Sequence, residues 1–279
     1  MKKFLLVLGL IVVIVTIVWV GCRSSNTKSK AETEKIMAEQ KVPINITVFL
    51  DLSDRIEKKK DNIIQFEKDT AILNGLIDLF IKKQDKEGFQ KSRDNFQVVF
   101  YPAPSGANEI AKSLSLDLAK IEGPKKKALL NFKKYHRDNI KSLYDNALQA
   151  KDYFGSDIWG YFEKDKVADV IKKGYRNIFI IFTDGYIYDE NNVREENGYY
   201  SYILPKVIQS QKGLIPCKLS NADFELYLVE CNPYKSDDSK RMRELLNSWF
   251  SEMGIKSIDI QETDLPNTTL NHLKSKIYD

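Results

Sequence analysis

The sequence is poor in the residues on which many enzyme sites depend. Only two histidines and three cysteines occur in 279 residues, which argues against a zinc site and against a histidine-based catalytic triad. Neither a glycine-rich phosphate loop nor an internal repeat is visible in the sequence. Basic and acidic residues number 43 and 39, for a net charge of +4, and they are spread along the chain. This near balance argues against nucleic acid as the partner.

The first residues have the layout of an export signal. Two lysines precede a run, 4–21, that is apolar except for Thr16, as expected of a signal peptide. The run is also about long enough to cross a membrane, so a retained N-terminal anchor is the alternative. The residues that lead to Cys22 favour the signal peptide, because they resemble a bacterial lipobox, in which the cysteine carries the lipid. One departure from that pattern is the bulky Trp19, which stands where leucine is usual.

The chain divides into three predicted segments. Residues 1–21 are the lipoprotein signal peptide, and the polar stretch 22–41 is a flexible tether, because it has too little apolar surface to bury. Residues 42–279 form the folded body, whose length suits one α/β domain. These boundaries predict a body in the cell envelope, periplasmic or surface-exposed, that a lipid on Cys22 holds to a membrane. The sequence does not distinguish the inner from the outer membrane.

Apolar, β-branched runs predict the strands of a sheet, and amphipathic stretches between them predict helices. The predicted strands are 44–51, 95–101, 177–183, 224–230 and 255–261. The predicted helices are 61–82 with Asp61 as N-cap, mixed pieces over 108–138, and about 137–153, 158–173, 204–211, 239–253 and 267–278. Strands that alternate with helices, without hairpin signals, predict a mostly parallel sheet with helices on both faces, which is a three-layer α/β fold.

Two of the most apolar strands end in an aspartate. Asp51 begins the sequence DLSDR after the first strand, and Asp184 lies in the sequence TDG after the third. Because the carboxyl ends of parallel strands form the ligand crevice of such a sheet, we expect both carboxylates there. A carboxylate that is partly desolvated needs a partner, and the simplest partner is a cation.

These motifs resemble the metal-ion-dependent adhesion site (MIDAS) of von Willebrand factor A domains, and the similarity of layout spans about 44–279. The resemblance matches Asp51 and Ser53 with the first Asp and the first Ser of the family's D-x-S-x-S loop. It matches Asp184 with the Asp of the family's later turn. Ser156, in the sequence GSDI, takes the place of a threonine on the family's middle loop.

Arg55 departs from the family's pattern. It stands where the second serine is expected, and a guanidinium has no lone pair to offer a metal. The remaining oxygen ligands favour a hard cation, so the resemblance implies Mg²⁺, with Mn²⁺ or Ca²⁺ as substitutes. The alternative is a metal-free site in which Arg55 neutralises the carboxylates. The expected metal ligands are Asp51, Ser53, Ser156 and Asp184, and the residues expected to contact the ligand are Arg55, Asp54 and Asp157.

Three functions are compatible with these motifs. The first is a protein-binding module of adhesion type, in which the metal bridges to an acidic side chain of the partner. The second is an interaction scaffold whose site is vestigial and metal-free. The third is a hydrolase that uses Asp51 or Asp184 as acid or base. Since no nucleophile–base pair is visible, we expect that the protein is not an enzyme.

Two smaller features complete the expectations from sequence. In an exported protein, Cys217 and Cys231 either form one disulfide or remain separate buried thiols, and their spacing does not decide between these states. The lysine run 125–127 is interpreted as a solvated face.

Overall fold

The structure is a computed structural model, and residues 43–279 form one compact unit within it. It describes residues 41–60, 63–150, 155–187, 194–196, 199–201, 217–232 and 239–278. The predicted signal peptide, nearly all of the predicted tether and the helix predicted at 204–211 lie outside the described residues. Among the helices of the described part, none combines the length and the apolar character that crossing a membrane requires.

A six-stranded sheet lies at the centre of the body. Its strands are β1 (Ile44–Leu50), β4 (Asn95–Val99), β5 (Leu116–Asp117), β6 (Arg176–Phe182), β9 (Glu225–Cys231) and β10 (Ser257–Glu262). Their order is β10-β9-β6-β1-β4-β5, and all neighbours are parallel except β4 and β5. Two hairpins pair β2 (Lys59–Lys60) with β3 (Ile63–Ile64) and β7 (Arg194–Glu196) with β8 (Tyr199–Ser201). The five predicted strands are confirmed, and β5 is an addition, because two residues are too few to show a period in the sequence.

Helices cover both faces of the sheet, which confirms the predicted three-layer α/β fold. They are α1 (Gln65–Glu87), α2 (Ala107–Ser113), α3 (Lys125–Gln149), α4 (Ile158–Glu163), α5 (Ser239–Glu252) and α6 (Pro266–Ile277). Apolar side chains of α1, α2, α3 and α6 pack on one face, and those of α4 and α5 pack on the other. Short 3₁₀ helices span Asp54–Glu57 and Lys166–Asp169. The central strands β1, β6 and β9 are largely apolar on both faces because both faces are covered.

Three helix predictions need correction. The first long helix begins at Gln65 with Ile64 at its N-cap, so Asp61 is not the cap. The expected break near residue 137 is absent, because apolar residues on one side of α3 continue at helical spacing from Leu129 to Ala147. The helix predicted over 158–173 ends at Glu163, and a short 3₁₀ helix follows it.

Three asparagines form a hydrogen-bonded row across the starts of the three central strands. Asn45 on β1 lies opposite both Asn95 on β4 and Asn177 on β6. Its side-chain oxygen accepts from Asn95 at 2.6 Å, and its side-chain nitrogen donates to Asn177 at 2.7 Å. All three side chains are buried, so the row satisfies polar groups that would otherwise be costly in the core.

The strand order fixes where a crevice can form. From β1 the chain continues to β4 and β5 on one side, and later to β6, β9 and β10 on the other side. Loops that leave β1 and β6 therefore diverge to opposite faces of the sheet, which opens a crevice outside their carboxyl ends. The motifs that contain Asp51 and Asp184 follow these two strands directly.

Candidate functional site

Asp51 and Asp184 lie beside each other at the carboxyl edge of the sheet. They follow β1 and β6, which are hydrogen-bonded neighbours, with Leu50 opposite Phe182. The Asp51 amide extends this pairing by donating to the Phe182 carbonyl at 3.0 Å. Two residues more than 130 positions apart in the chain thus share one rim because their strands are adjacent and in register.

The Asp51 carboxylate is buried and hydrogen-bonded on both oxygens. Its Oδ1 accepts from the Ser53 amide at 3.1 Å, and its Oδ2 accepts from the Thr183 hydroxyl at 2.9 Å. The same Thr183 hydroxyl accepts from the Gly185 amide at 3.2 Å. These contacts join the two strand-end loops and orient the carboxylate before any ligand arrives.

The Asp184 carboxylate lies at the mouth of the crevice, with a side chain that is 12% exposed. Its Oδ1 accepts from the Tyr186 amide at 3.2 Å, and its Oδ2 lies 3.4 Å from the Lys58 ammonium. Burial and the neighbouring charge of Asp51 raise the pKa of Asp184 to about 6, although Lys58 and Arg55 oppose this shift. The group therefore titrates much closer to neutrality than an ordinary aspartate.

The two serines of the predicted site come from loops that touch. The Ser156 hydroxyl accepts from the Leu52 amide at 2.8 Å, so it lies against the backbone that follows β1. The neighbouring Gly155 has a φ of +105°, and a Cβ added there would lie 3.2 Å from the Cβ of Ser53. The predicted ligands Asp51, Ser53, Ser156 and Asp184 all lie around one crevice.

Arg55 is buried beneath this crevice, with only 1% of the residue exposed. Its Nε donates to the Asp51 backbone carbonyl at 2.9 Å and lies 3.7 Å from the Asp51 carboxylate. Its Nη2 donates to Asp69 on α1 at 2.6 Å. Burial alone would lower the pKa of Arg55, but the charges of Asp69 and Asp51 outweigh that effect and raise it. Arg55 is therefore a permanent internal cation.

A buried polar network continues behind Arg55, and sequence reasoning missed it. Asp69 accepts from Tyr144 at 3.1 Å and from Gln65 at 2.9 Å, and Gln65 also donates to Glu230 at 3.0 Å. Glu230 is fully buried and has a φ of +66°. Burial raises the pKa of Asp69, and the Arg55 guanidinium opposes that rise.

The hydroxyls of two threonines donate the remaining hydrogen bonds to the Glu230 carboxylate. Thr263 donates to its Oε2 at 2.5 Å, and Thr269 on α6 donates to its Oε1 at 2.9 Å. Asp69 on α1 and Glu230 on β9 were overlooked in the sequence because each lies within an element whose other core-facing residues are apolar. The available signal was a charged residue on the core-facing side of an element, as at Lys68 and Asp69.

Asp54 and Asp157 occupy different positions from the other predicted residues. Asp54 begins a 3₁₀ turn with its side chain 83% exposed, 3.7 Å from Lys58. Asp157 is the N-cap of α4, and its Oδ1 accepts from the Gly160 amide at 2.7 Å. Asp54 is thus free to meet a partner at the rim, whereas the Asp157 side chain is engaged in starting a helix.

The oxygen atoms of the crevice are of the type that Mg²⁺ prefers, but cations of the protein already lie beside them. Carboxylates and hydroxyls are the ligands that a hard cation prefers. However, Arg55 lies 3.7 Å from Asp51 and Lys58 lies 3.4 Å from Asp184, so two cations already offset part of the negative charge of the two carboxylates, although Arg55 also neutralises Asp69 at 2.6 Å. Among the described residues, no three His, Cys, Asp or Glu side chains are grouped so that they could hold a metal. Arg55 thus places a permanent cation beside a carboxylate that a divalent ion would need.

Cys217 and Cys231 are separate buried thiols, which is one of the two states that the sequence left open. Burial raises the pKa of both thiols. A protonated, buried thiol is a poor nucleophile, so these cysteines contribute packing to the face of the sheet that α5 covers.

No family model and no curated protein sequence matches this chain. Similar solved structures include an aerotolerance-related membrane protein from Bacteroides fragilis, with 12% identity, a TM-score of 0.37, and coverage of 84% of this chain and 98% of that one. Two structures of the pilus adhesin SpaC from Lactobacillus rhamnosus GG give 11% identity and TM-scores of 0.41 and 0.42. They cover 85% of this chain, which spans only 30% of the adhesin. Likenesses this distant say nothing about what the present chain binds.

Proposed function

We propose that the body is a von Willebrand factor A-like, protein-binding module of the cell envelope that recognises its partner through the crevice between β1 and β6. Two cations at this crevice support the proposal, one buried and one exposed. Arg55 is buried at 2.6 Å from Asp69 and 3.7 Å from Asp51, while Lys58 reaches Asp184 from outside. In this proposal Arg55 supplies the positive charge that the family's site takes from a metal, so binding does not require Mg²⁺.

Lys58 is the group best placed to meet the partner. Its side chain is 54% exposed and lies between Asp54 and Asp184, at 3.7 and 3.4 Å. An acidic side chain of a partner can replace Asp54 as a counterion of this ammonium without burying an unpaired charge, because the Asp54 side chain is 83% exposed and returns to solvent. The proposed partner is therefore a protein that offers an acidic side chain at the rim.

A catalytic role is not part of the proposal. The Thr183 hydroxyl donates to Asp51, which is the geometry of a nucleophile and its base. Thr183 is nevertheless fully buried, so a substrate could not reach its oxygen. The contact instead joins the loops after β1 and β6.

Calorimetric titration of MgCl₂ into the wild type, Arg55→Ser and Arg55→Ser/Asp51→Ala tests the metal-free site. We expect no binding heat for the wild type, binding for Arg55→Ser because a hydroxyl replaces the guanidinium, and loss of that binding in the double variant. Thermal unfolding of each protein establishes that the variants are folded. Saturable Mg²⁺ binding by the wild type that Asp51→Ala abolishes would instead establish the metal-dependent module.

Site-specific photo-crosslinking in the producing cell tests the crevice as a binding surface. The photoreactive residue replaces Asp54 at the rim or, as a control, Glu109, whose side chain is 77% exposed on α2. We expect a discrete protein adduct at position 54 that Lys58→Glu diminishes, and none at position 109. Adducts of equal yield at both positions would contradict recognition through the crevice.

A further inference from the structure

The edge of the sheet opposite the crevice, where the parallel strands begin, is also the edge where the preceding chain enters the body. We call it the strand-start edge and define it by the loops 88–94, 117–127, 170–176, 219–225 and 253–257 together with Pro43. The Arg176 amide donates to the Pro43 carbonyl at 2.9 Å. Val42, one residue earlier, is 61% exposed.

Contacts between its loops make the strand-start edge one continuous surface. The Arg93 guanidinium lies over the ring of Tyr175, 5.4 Å from its centroid, and the Lys172 ammonium lies at the same distance from that ring. Lys125 donates to the Ser92 carbonyl at 2.7 Å, which brings the start of α3 onto the same surface. A groove of about 490 Å³ continues from Tyr175 to Lys256.

This surface carries an excess of exposed positive charge. The exposed basic side chains are Lys91, Arg93, Lys120, Lys126, Lys127, Lys173 and Lys256. Several of its acids are already engaged: Asp94 is buried and bound by Lys83, Asp117 is bound by Lys172, and Glu225 is bound by Arg176. Glu122 and Asp223 are the remaining acids of the defining loops. The lysine run 125–127 thus belongs to a larger basic surface.

The described part of the opposite edge shows no such excess. Its acids are Asp54, Glu57, Asp157, Asp184, Glu262 and Asp264. They are accompanied by Lys58 near Asp54 and Asp184, by Arg243 at 3.1 Å from Glu262, and by Lys164 and Lys166 beside Tyr101. Among the described residues, the excess of exposed positive charge therefore lies at the edge where the chain enters.

We propose that the strand-start edge docks on an anionic lipid surface and thereby turns the crevice away from the membrane. The proposal goes beyond the protein-binding role and would hold whatever the crevice binds. Each lysine near an anionic leaflet strengthens binding about fivefold, and the attraction falls off within a Debye length of about 8 Å at physiological salt. Such a short range requires that the basic surface be kept near the membrane.

The chain enters the body at this edge, because Pro43 directly precedes β1 and its carbonyl accepts from the Arg176 amide. If Cys22 carries a lipid, as the sequence predicts, the lipid-bearing part of the chain joins the body at the edge that carries the basic side chains.

Vesicle sedimentation of the unacylated chain tests the proposal. The chain from residue 22 onward, with Cys22→Ala, is mixed with vesicles of phosphatidylcholine alone or of three parts phosphatidylcholine to one part phosphatidylglycerol. We expect binding to the anionic vesicles only, weakened when salt is raised. Reversal of charge in Lys126→Glu/Lys127→Glu/Lys173→Glu should lower the partition coefficient at least tenfold.

A matched triple variant controls for total charge. Lys112→Glu/Lys164→Glu/Lys240→Glu changes three exposed lysines that lie outside the strand-start edge, and it should change the partition coefficient less than twofold. Equal losses in the two triple variants, or equal binding to both kinds of vesicle, would overturn the proposal. Failure of the wild type to bind anionic vesicles at low salt would overturn it as well, and neither result bears on the crevice.

Fluorescence quenching tests the orientation directly. A fluorophore is attached to Gln90→Cys, on the strand-start edge, or to Asp264→Cys, beyond the end of β10; both positions are exposed, and the native Cys217 and Cys231 are buried. Nitroxide-headgroup lipids should quench the fluorophore at position 90 at least threefold more than that at position 264. Equal quenching, or the reverse order, would contradict the proposed orientation.

Discussion

Arg55 and Asp69 form an ion pair of 2.6 Å whose side chains are 1% and 0% exposed. Arg55 belongs to the loop after β1, whereas Asp69 belongs to α1, so the pair attaches the crevice loop to the helix layer. A buried charge pair contributes little net stability compared with apolar residues, but removing one partner leaves the other uncompensated. The pair therefore defines the position of the loop more than it stabilises the domain.

Replacing Arg55 by methionine should lower the free energy of unfolding by about 3–5 kcal/mol, because Asp69 and Asp51 lose their buried cation. The double variant Arg55→Met/Asp69→Leu should cost less than the sum of the two single variants. Urea denaturation followed by circular dichroism measures both effects. As the control, Lys58→Met removes a cation that is half exposed and should cost less than about 1 kcal/mol. Additive effects of the two buried substitutions would contradict the pairing.

The Asp184 carboxyl group should make the domain more stable in mild acid. Its folded-state pKa of about 6 lies above the ordinary value of an aspartate, about 3.9, so the folded protein binds the proton more tightly than the unfolded chain does. This contribution is complete below the unfolded pKa and is lost as pH rises through the folded pKa. The stability of the wild type relative to Asp184→Asn should therefore fall by about 2 kcal/mol between pH 4 and pH 7. A pH-independent difference, measured by urea denaturation, would contradict the raised pKa.

Gly155→Ala should disturb the contact between the two site loops. The residue has a φ of +105°, and its added Cβ would lie 3.2 Å from Ser53 Cβ. Gly123 is the matched control, because its φ is +108° but nothing lies within 4 Å of its added Cβ. Both substitutions carry the backbone strain of about 1–2 kcal/mol, so the additional loss at Gly155 reports the loop contact. Equal losses of thermal stability would show that the loops separate freely.

Thr269→Val should cost about 1–3 kcal/mol, because it removes a hydrogen bond to the buried Glu230 carboxylate. The neighbouring Thr268 is exposed on the same helix, and Thr268→Val should change stability by less than about 0.5 kcal/mol. Urea denaturation of the two valine variants separates the network contact from the effect of valine on helix propensity. A loss at position 269 no larger than that at position 268 would show that Glu230 does not depend on this hydroxyl.

The sheet was predictable because its strongest signals are continuous apolar runs. β1 and β6 are seven-residue strands rich in β-branched and aromatic side chains, and a polar residue follows each of them; this pattern also predicted Asp51 and Asp184 at one edge. The start of α1 was misplaced because Ile63 and Ile64 match the helical period although they pair with Lys59 and Lys60 in a hairpin. Local pairing overrode the periodic signal there.

The inner half of the site was not predictable from the sequence. The sequence marked Arg55 as a cation among the carboxylates of the expected crevice, but it did not indicate Asp69 as the main partner. Asp69 lies on an amphipathic helix, where an acidic residue normally faces solvent, and only the docking of α1 against the sheet places it beneath the crevice. Long-range packing of this kind leaves no local trace in a single sequence.

The asparagine row at the starts of β1, β4 and β6 favours one register of these strands during folding. Because these strands bury hydrocarbon on both faces, sliding one strand along its neighbour would hide nearly the same apolar area. A slide would, however, separate Asn45 from Asn95 and Asn177 and break the two amide hydrogen bonds that join the three strands in a dry interior. The row thus disfavours sheets in the wrong register, which hydrophobic burial alone does not. The correct register of β1 and β6 in turn brings the loops that contain Asp51 and Asp184 to the same rim.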